Sequence, residues 1–202
     1  GSFPVLSALV FVPMIGALAI LCTHKRRPEF TKLLALLFSG ATGAMTLWVL
    51  TTFDRGDDGF QFVSQQTWIE QWGIGWHLGV DGISLFLVVL TGILFPLVIV
   101  GIDPHHDEKP YLAWLLMLEA GVLGSFLSLD LFLFFLCFEI VLVPMYFLIG
   151  GWGYENRQYA ATKCYLYTFL GSAFMLVALI ATAMLARNDL GRITFDLVEI
   201  AE

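Results

Sequence analysis

The sequence predicts an all-α fold, a polytopic transmembrane bundle of about six helices. Three observations carry this. The 202 residues are 58% hydrophobic and only 13% charged, where a soluble domain is about a quarter charged. The mean hydropathy is +0.82. Apolar runs fall at 4–23, 31–52, 81–102, 111–129, 131–150 and 160–186, and about 20 such residues cross the hydrocarbon core as a helix. None of these runs shows the alternation of an outer-membrane barrel strand.

Charge in the loops orients the bundle. The first loop carries Lys25, Arg26, Arg27 and Lys32, so it is expected on the cytoplasmic side. The second loop, 54–79, holds Arg55 as its only cation and several acids, and is expected outside. The loop with Arg157 and Lys163 is again cytoplasmic, which leaves both termini outside. Loops as long as the second usually have a purpose. Its Trp68, Trp72 and Trp76, spaced by four, allow a strand-like or helical flap at the membrane interface, or a loop packed on its own protein. Asp81 before Gly82 is an N-cap candidate for the third helix. Pro96 is expected to kink that helix.

Composition excludes several functions. Ten Lys and Arg without a stripe do not make a nucleic-acid surface. Cys22, Cys137 and Cys164 show no metal or disulfide spacing and read as lipid-side or core thiols. The run His105–Glu108 is a weak metal candidate. No phosphate-cradling glycine loop, Ser-His-Asp arrangement or cofactor fingerprint is present.

The chemistry therefore rests on acids inside apolar runs. Glu139 lies in the middle of Leu131–Gly150. An acid at a helix centre costs about 2.5–3.5 kcal/mol on insertion scales and marks ion paths or proton relays. Pro144, five residues on, removes one backbone donor and crowds the carbonyl near Ile140. Glu119 lies eleven residues before Asp130 and Glu139 nine after it. A tight hairpin turning at Asp130 then sets the two carboxyls about 16 and 14 Å from the turn. Depth alone leaves open whether they face each other; if they do, only one ionises readily. Glu119 also fits a protonated acid bonded to a backbone carbonyl. Lys163 has two readings, a lysine snorkelling to the headgroups or the cationic partner of an acid.

The stretches His77–Gly92 (HLGVDGISLFLVVLTG), Ser128–Gly153 (SLDLFLFFLCFEIVLVPMYFLIGGWG) and Tyr159–Thr168 (YAATKCYLYT) closely resemble the antiporter-like membrane subunits of respiratory complex I, subunit M above all. The resemblance covers nearly the whole chain but only the N-terminal portion of that family's fold. That fold has about fourteen helices with two inverted repeats. It implies residues 1–110 as a three-helix region with the outer loop 54–79, and 111–202 as helices four to six of the first repeat plus a tail. It makes Glu139 the proton-transferring glutamate. The family's pairing lysine lies on a seventh helix beyond this chain, so Lys163 matches a lesser position.

By the same resemblance the chain is a proton-translocating membrane-arm subunit of NADH:quinone oxidoreductase in a bacterial inner membrane. No cofactor is expected on the chain itself; NADH, FMN, iron–sulfur clusters and quinone belong to partner subunits. Its partners are neighbouring membrane-arm subunits, a chain or segment supplying helices seven onward, and lipid. The alternatives are a subunit of a multisubunit sodium/proton antiporter and a non-conducting membrane scaffold.

The loop charges give a direct test of topology. Cysteine reagents that cannot cross the membrane should leave Arg26→Cys unlabelled in sealed cells and label a cysteine placed in 54–79. Labelling of Arg26→Cys from outside reverses the orientation.

Overall fold

The structure is a computed structural model that describes residues 4–24, 27–104 and 106–202. Lys25, Arg26 and His105, named above for topology and metal binding, lie outside the described residues. Among the described residues, six helices are long and apolar enough to cross a membrane: α1 (Val5–Cys22), α2 (Pro28–Thr52), α3 (Gly82–Gly101), α4 (Glu108–Leu127), α5 (Leu131–Trp152) and α6 (Arg157–Leu190). They agree with the six runs, except that α6 is 34 residues long, about 51 Å at the ordinary rise. A short helix α7 (Leu197–Ala201) follows. Pro96 and Pro144 both sit inside uninterrupted helices.

The boundaries follow local chemistry. Asp81 caps α3: its carboxylate accepts from the Ile83 and Ser84 N–H groups, and the Ser84 hydroxyl receives the Asp81 N–H. This reciprocal box satisfies amides that a helix start leaves open. Pro28 opens α2 at a position where its missing N–H costs nothing. Gly191, with φ +73°, ends α6 in the left-handed region.

Burial ranks the helices. Over its apolar window α4 is 61% buried, while α5 is 22% and α6 only 11%. Helix α4 is thus the centre of this bundle, packed between α1 and α5. Helices α2 and α3 cross where Gly43 meets the Gly92 backbone and Gly92 meets Thr46. Any side chain at Gly92 would collide with Thr46, so the crossing depends on the missing Cβ.

The second loop is neither helical nor irregular. It forms an antiparallel hairpin of β1 (Gln61–Ile69) and β2 (Ile74–Val80), paired Ser64 with Leu78 and Thr67 with Gly75. A 3₁₀ turn, Glu70–Trp72, and Gly73 at φ +63° close it. The all-α expectation thus gains one two-stranded sheet. The hairpin has the strand form of the first reading and rests on its own protein through Trp76, as in the second. Trp76 stacks on Phe11 at 5.3 Å and donates to the Ser7 hydroxyl. Trp68 and Trp72 remain exposed.

A clasp holds the hairpin to the bundle. The Leu129 N–H donates to the His77 carbonyl, Leu131 N–H to Phe195, Leu197 N–H to Leu129, and Phe195 N–H to Gly73. Three segments far apart in sequence are thereby laced backbone to backbone. Two side chains lock them. Asp130 caps α5 by accepting from the Phe132 and Leu133 N–H groups, and its other oxygen accepts from the Gly75 N–H at 3.1 Å. His77 Nδ1 lies 2.9 Å from Asp196 Oδ2, with both residues buried. Burial pushes the Asp130 carboxyl above its usual range, against the three N–H bonds that favour its ionised form.

The two jobs of Asp130 separate by substitution. Asp130→Asn keeps the cap oxygen but turns an amide toward the Gly75 N–H; Asp130→Ala loses both contacts. Each step should cost about 1 kcal/mol in denaturant unfolding of the purified membrane protein, Ala being the least stable. Because folding raises this carboxyl, its contribution to stability is greatest below its ordinary titration range and declines as pH rises through the folded value. Both variants should lack that slope.

Candidate functional site

The two intramembrane acids are close in depth but stand back to back. A Cβ on Gly121 of α4 would meet Val141 and Ile140 of α5, and one on Gly124 would meet Cys137. These contacts fix the register of the antiparallel pair and put Glu119 level with residue 142, about 4.5 Å from the level of Glu139. They also fix the facing sides. At about 100° per residue, Glu119 lies roughly opposite Gly121 and Gly124, and Glu139 roughly opposite Cys137 and Val141. The α4–α5 pair therefore stands between the two carboxyls. The question left open by depth is answered: they do not share a site.

Glu119 points into the cell enclosed by α1, α2 and α4. It is fully buried, and Ser39 of α2, also fully buried, faces it. Neither carboxyl oxygen nor the Ser39 hydroxyl completes a hydrogen bond of ordinary geometry. Leu116 on the same side of α4 approaches Gly16 of α1. A buried acid in such surroundings is cheapest when neutral.

Glu139 points the other way, toward α6. One of its oxygens, Oε1, is buried and without a hydrogen-bond partner. The residue as a whole is half-buried, on the side of α5 against which α6 packs. The arrangement is an acid at the centre of a span, presented toward α6 at the edge of the bundle.

Lys163 is not part of this geometry. It is exposed near the start of α6, with its Nζ 5.8 Å from the Tyr159 ring centre. Gly150 and Ala161 are in contact, which sets Lys163 nine residues, about 13 Å, from the level of Glu139. Of its two readings, the one placing it at the membrane surface fits.

One group was missed in the sequence. His77 reads there as a loop histidine, yet it is buried and paired with Asp196, 119 residues away. Nothing local signals that pairing. Glu199 joins the same corner: burial opposes it, but hydrogen bonds from Arg192 and Thr194 hold its carboxyl below the usual range. Cys22 and Cys164 are exposed and Cys137 is buried, all three free.

Back-to-back carboxyls should behave independently. Glu119→Gln and Glu139→Gln, combined, should change thermal stability by the sum of the single effects to within about 0.5 kcal/mol. A larger coupling energy in that double-mutant cycle contradicts the facing derived from the glycine contacts.

Residues 128–200 match the family described as NADH:quinone oxidoreductase/Mrp antiporter, transmembrane. The chain is 43% identical over 182 residues to NADH-quinone oxidoreductase subunit M of Rickettsia prowazekii (strain Madrid E), covering 88% of this chain and 37% of that protein. It is 32% identical over 199 residues to F(420)H(2) dehydrogenase subunit M of Methanosarcina mazei, covering 98% of the chain and 40% of the relative. Among solved structures, respiratory complex I from Thermus thermophilus matches with a TM-score of 0.79 at 23% identity, over 96% of this chain and 38% of that one. The Mrp complex from Dietzia sp. DQ12-45-1b matches with a TM-score of 0.72 at 17% identity, over 97% of the chain and 20% of that one. The structural matches establish the fold, a part of the antiporter-like helical architecture. In sequence, the chain is similar to proteins named subunit M of NADH-quinone oxidoreductase and of F(420)H(2) dehydrogenase, and it spans about two fifths of the length of the curated relatives it matches.

Proposed function

We propose that the chain forms part of a proton-translocating membrane-arm subunit of an NADH:quinone oxidoreductase, with Glu139 as its proton-transferring group. The observation that carries this is the Glu139 carboxyl itself: central in α5, with a buried oxygen that no group among the described residues satisfies, on the side of α5 that faces α6. A carboxyl in hydrocarbon is neutral unless a cation approaches. An approaching lysine favours the ionised form, and its withdrawal restores the acid. Glu139 thus loses a proton when the cation arrives and regains one when it leaves. The cation comes from a helix beyond these 202 residues. The redox groups, NADH, FMN, iron–sulfur clusters and quinone, sit on partner subunits. Neighbouring membrane-arm subunits and lipid cover α5 and α6.

The ends of the bundle support the orientation. Arg27, Lys32, Lys109, Arg157 and Lys163 lie at the first-loop end, against Arg55, Arg187 and Arg192 at the hairpin end. The excess of cations supports the reading that puts the first-loop end on the cytoplasmic side and the N-terminus outside.

The likeness to the Mrp complex keeps a sodium/proton antiporter subunit as the second reading. Copurification separates the two: the oxidoreductase reading requires flavin and iron–sulfur partners.

Glu139→Gln in the full-length subunit removes titration but keeps size and polarity. Native gels should show the complex assembled. Proton uptake by membrane vesicles should fall by about tenfold or more, a loss of at least about 1.4 kcal/mol at the transfer step. Glu139→Asp should be milder. An assembled Glu139→Gln complex that pumps like the parent makes this glutamate structural.

A further inference from the structure

The face of α6 turned to Glu139 has one polar side chain at its level, Ser172. Two contacts fix the register of the antiparallel helices α5 and α6. A Cβ on Gly150 would lie 3.4 Å from the Ala161 Cβ. The Tyr146 and Tyr165 rings lie 5.5 Å apart. From the tyrosine pair, seven residues along each helix lead to Glu139 and Ser172. From Gly150 and Ala161, eleven residues lead to the same two positions. Steps of seven and eleven each return to nearly the same side of a helix, within about 20°. Farther along, Ala183 clusters with Ile74 and Phe195, and Leu131 and Phe132 of α5 pack on that cluster. Helix α6 therefore stays against α5 on both sides of Glu139.

Helix α6 is exposed almost everywhere, and its buried residues are Ala161, Ser172, Ala183 and Ala186. The first three recur every eleven residues and form one seam of small side chains. Ser172 is 3% exposed and is the only one of the four with a hydroxyl. That hydroxyl donates to the Thr168 carbonyl at 2.8 Å. Its lone pairs have no donor within the seam, and a hydroxyl can accept as well as donate.

We infer that Ser172 is the positioning residue for Glu139 and serves both of its protonation states. This rests on Glu139 as the proton-transferring group and adds the partner that orients it. Toward the neutral acid, the Ser172 oxygen accepts the carboxyl O–H while its own hydrogen stays on Thr168. Toward the carboxylate, the hydroxyl rotates and donates to the buried oxygen. The Thr168 carbonyl keeps its helical N–H bond in both arrangements, so the rotation leaves no group orphaned. Ser172 retains its proton throughout, and the transferred proton belongs to Glu139 alone.

The other polar groups of α6 lie farther from this level: Thr168, on the same side of α6, is four residues, about 6 Å, toward the first-loop end. Glu119 lies behind α4. The Tyr146 and Tyr165 phenols lie seven residues toward the first-loop end, about 10 Å along the axis. Lys163 is farther still, and Asp130 and His77 lie at the hairpin end. Among the described residues, no charged side chain faces Glu139 from α4 or α6.

The test uses the full-length subunit in its assembled complex. Redox-driven infrared difference spectra give the carboxyl carbonyl band of Glu139 as the band lost in Glu139→Gln. Ser172→Ala deletes only a hydroxyl and should assemble normally. It should move that band to higher frequency and slow proton pumping about fivefold, the effect of one ordinary hydrogen bond. Ser172→Thr, which restores the hydroxyl, should restore both the band and the rate. Separately, with Cys22, Cys137 and Cys164 replaced by serine, Glu139→Cys with Ser172→Cys should cross-link under mild oxidant. An assembled Ser172→Ala complex with unchanged band and rate overturns the inference while leaving Glu139 in its role. Failure of the cross-link overturns the register itself. Normal pumping by Glu139→Gln removes the role that Ser172 would support.

Discussion

The Asp130 carboxylate is the contact on which the architecture turns. One oxygen starts α5 by taking two amide hydrogens that the helix cannot satisfy itself, and the other anchors the hairpin through Gly75. The first function fixes where α5 begins, and so the depth of every residue on it. The second fixes the hairpin over the end of the bundle, where β2, the α4–α5 turn and the segment after α6 exchange backbone hydrogen bonds. His77 and Asp196 lock the third segment to the first. With the hairpin-side ends of α5 and α6 so tied, the register along the seam is set from the clasp inward.

The membrane decides what the acids can do. Removed from water, a carboxyl pays for its charge unless something opposes it. The bundle contains two such groups and separates them by a helix pair. Glu119 faces a closed cell among α1, α2 and α4, with only Ser39 near it. Glu139 faces α6 at the edge of the bundle. The first is sealed by its own chain; the second is accessible to whatever packs beside α5. That contrast, rather than depth, distinguishes their uses, because the depths differ by less than one turn.

Much of this was legible in the residues. Apolar run lengths located all six spans, Asp81-Gly82 announced the α3 cap, and rise per residue gave the level of Glu119 with Glu139. What was not legible shares one cause. The side of a helix that meets a neighbour depends on contacts between segments far apart in sequence, such as Gly124 with Cys137 or Tyr146 with Tyr165. A strand-like form was among the readings for the second loop, but its pairing hid because the register shifts between Gln61 and Ser64 and between Thr67 and Ile69, which breaks the alternation that marks a strand. His77 with Asp196 hid because a pairing across 119 residues leaves no local trace.

The length of α6 couples the protein to its solvent. Lys163 and Arg187 bracket an uncharged stretch of 23 residues, Cys164–Ala186, about 34 Å long against a hydrocarbon thickness of about 30 Å. The mismatch is relieved by tilting. Helix α6 meets α5 along a seam of small side chains and is tied to it at the hairpin end, so the two lean together. Acyl-chain length thereby becomes a mechanical input to the pair: thinner bilayers tilt it and thicker ones stand it upright, while Ser172 keeps its level with Glu139.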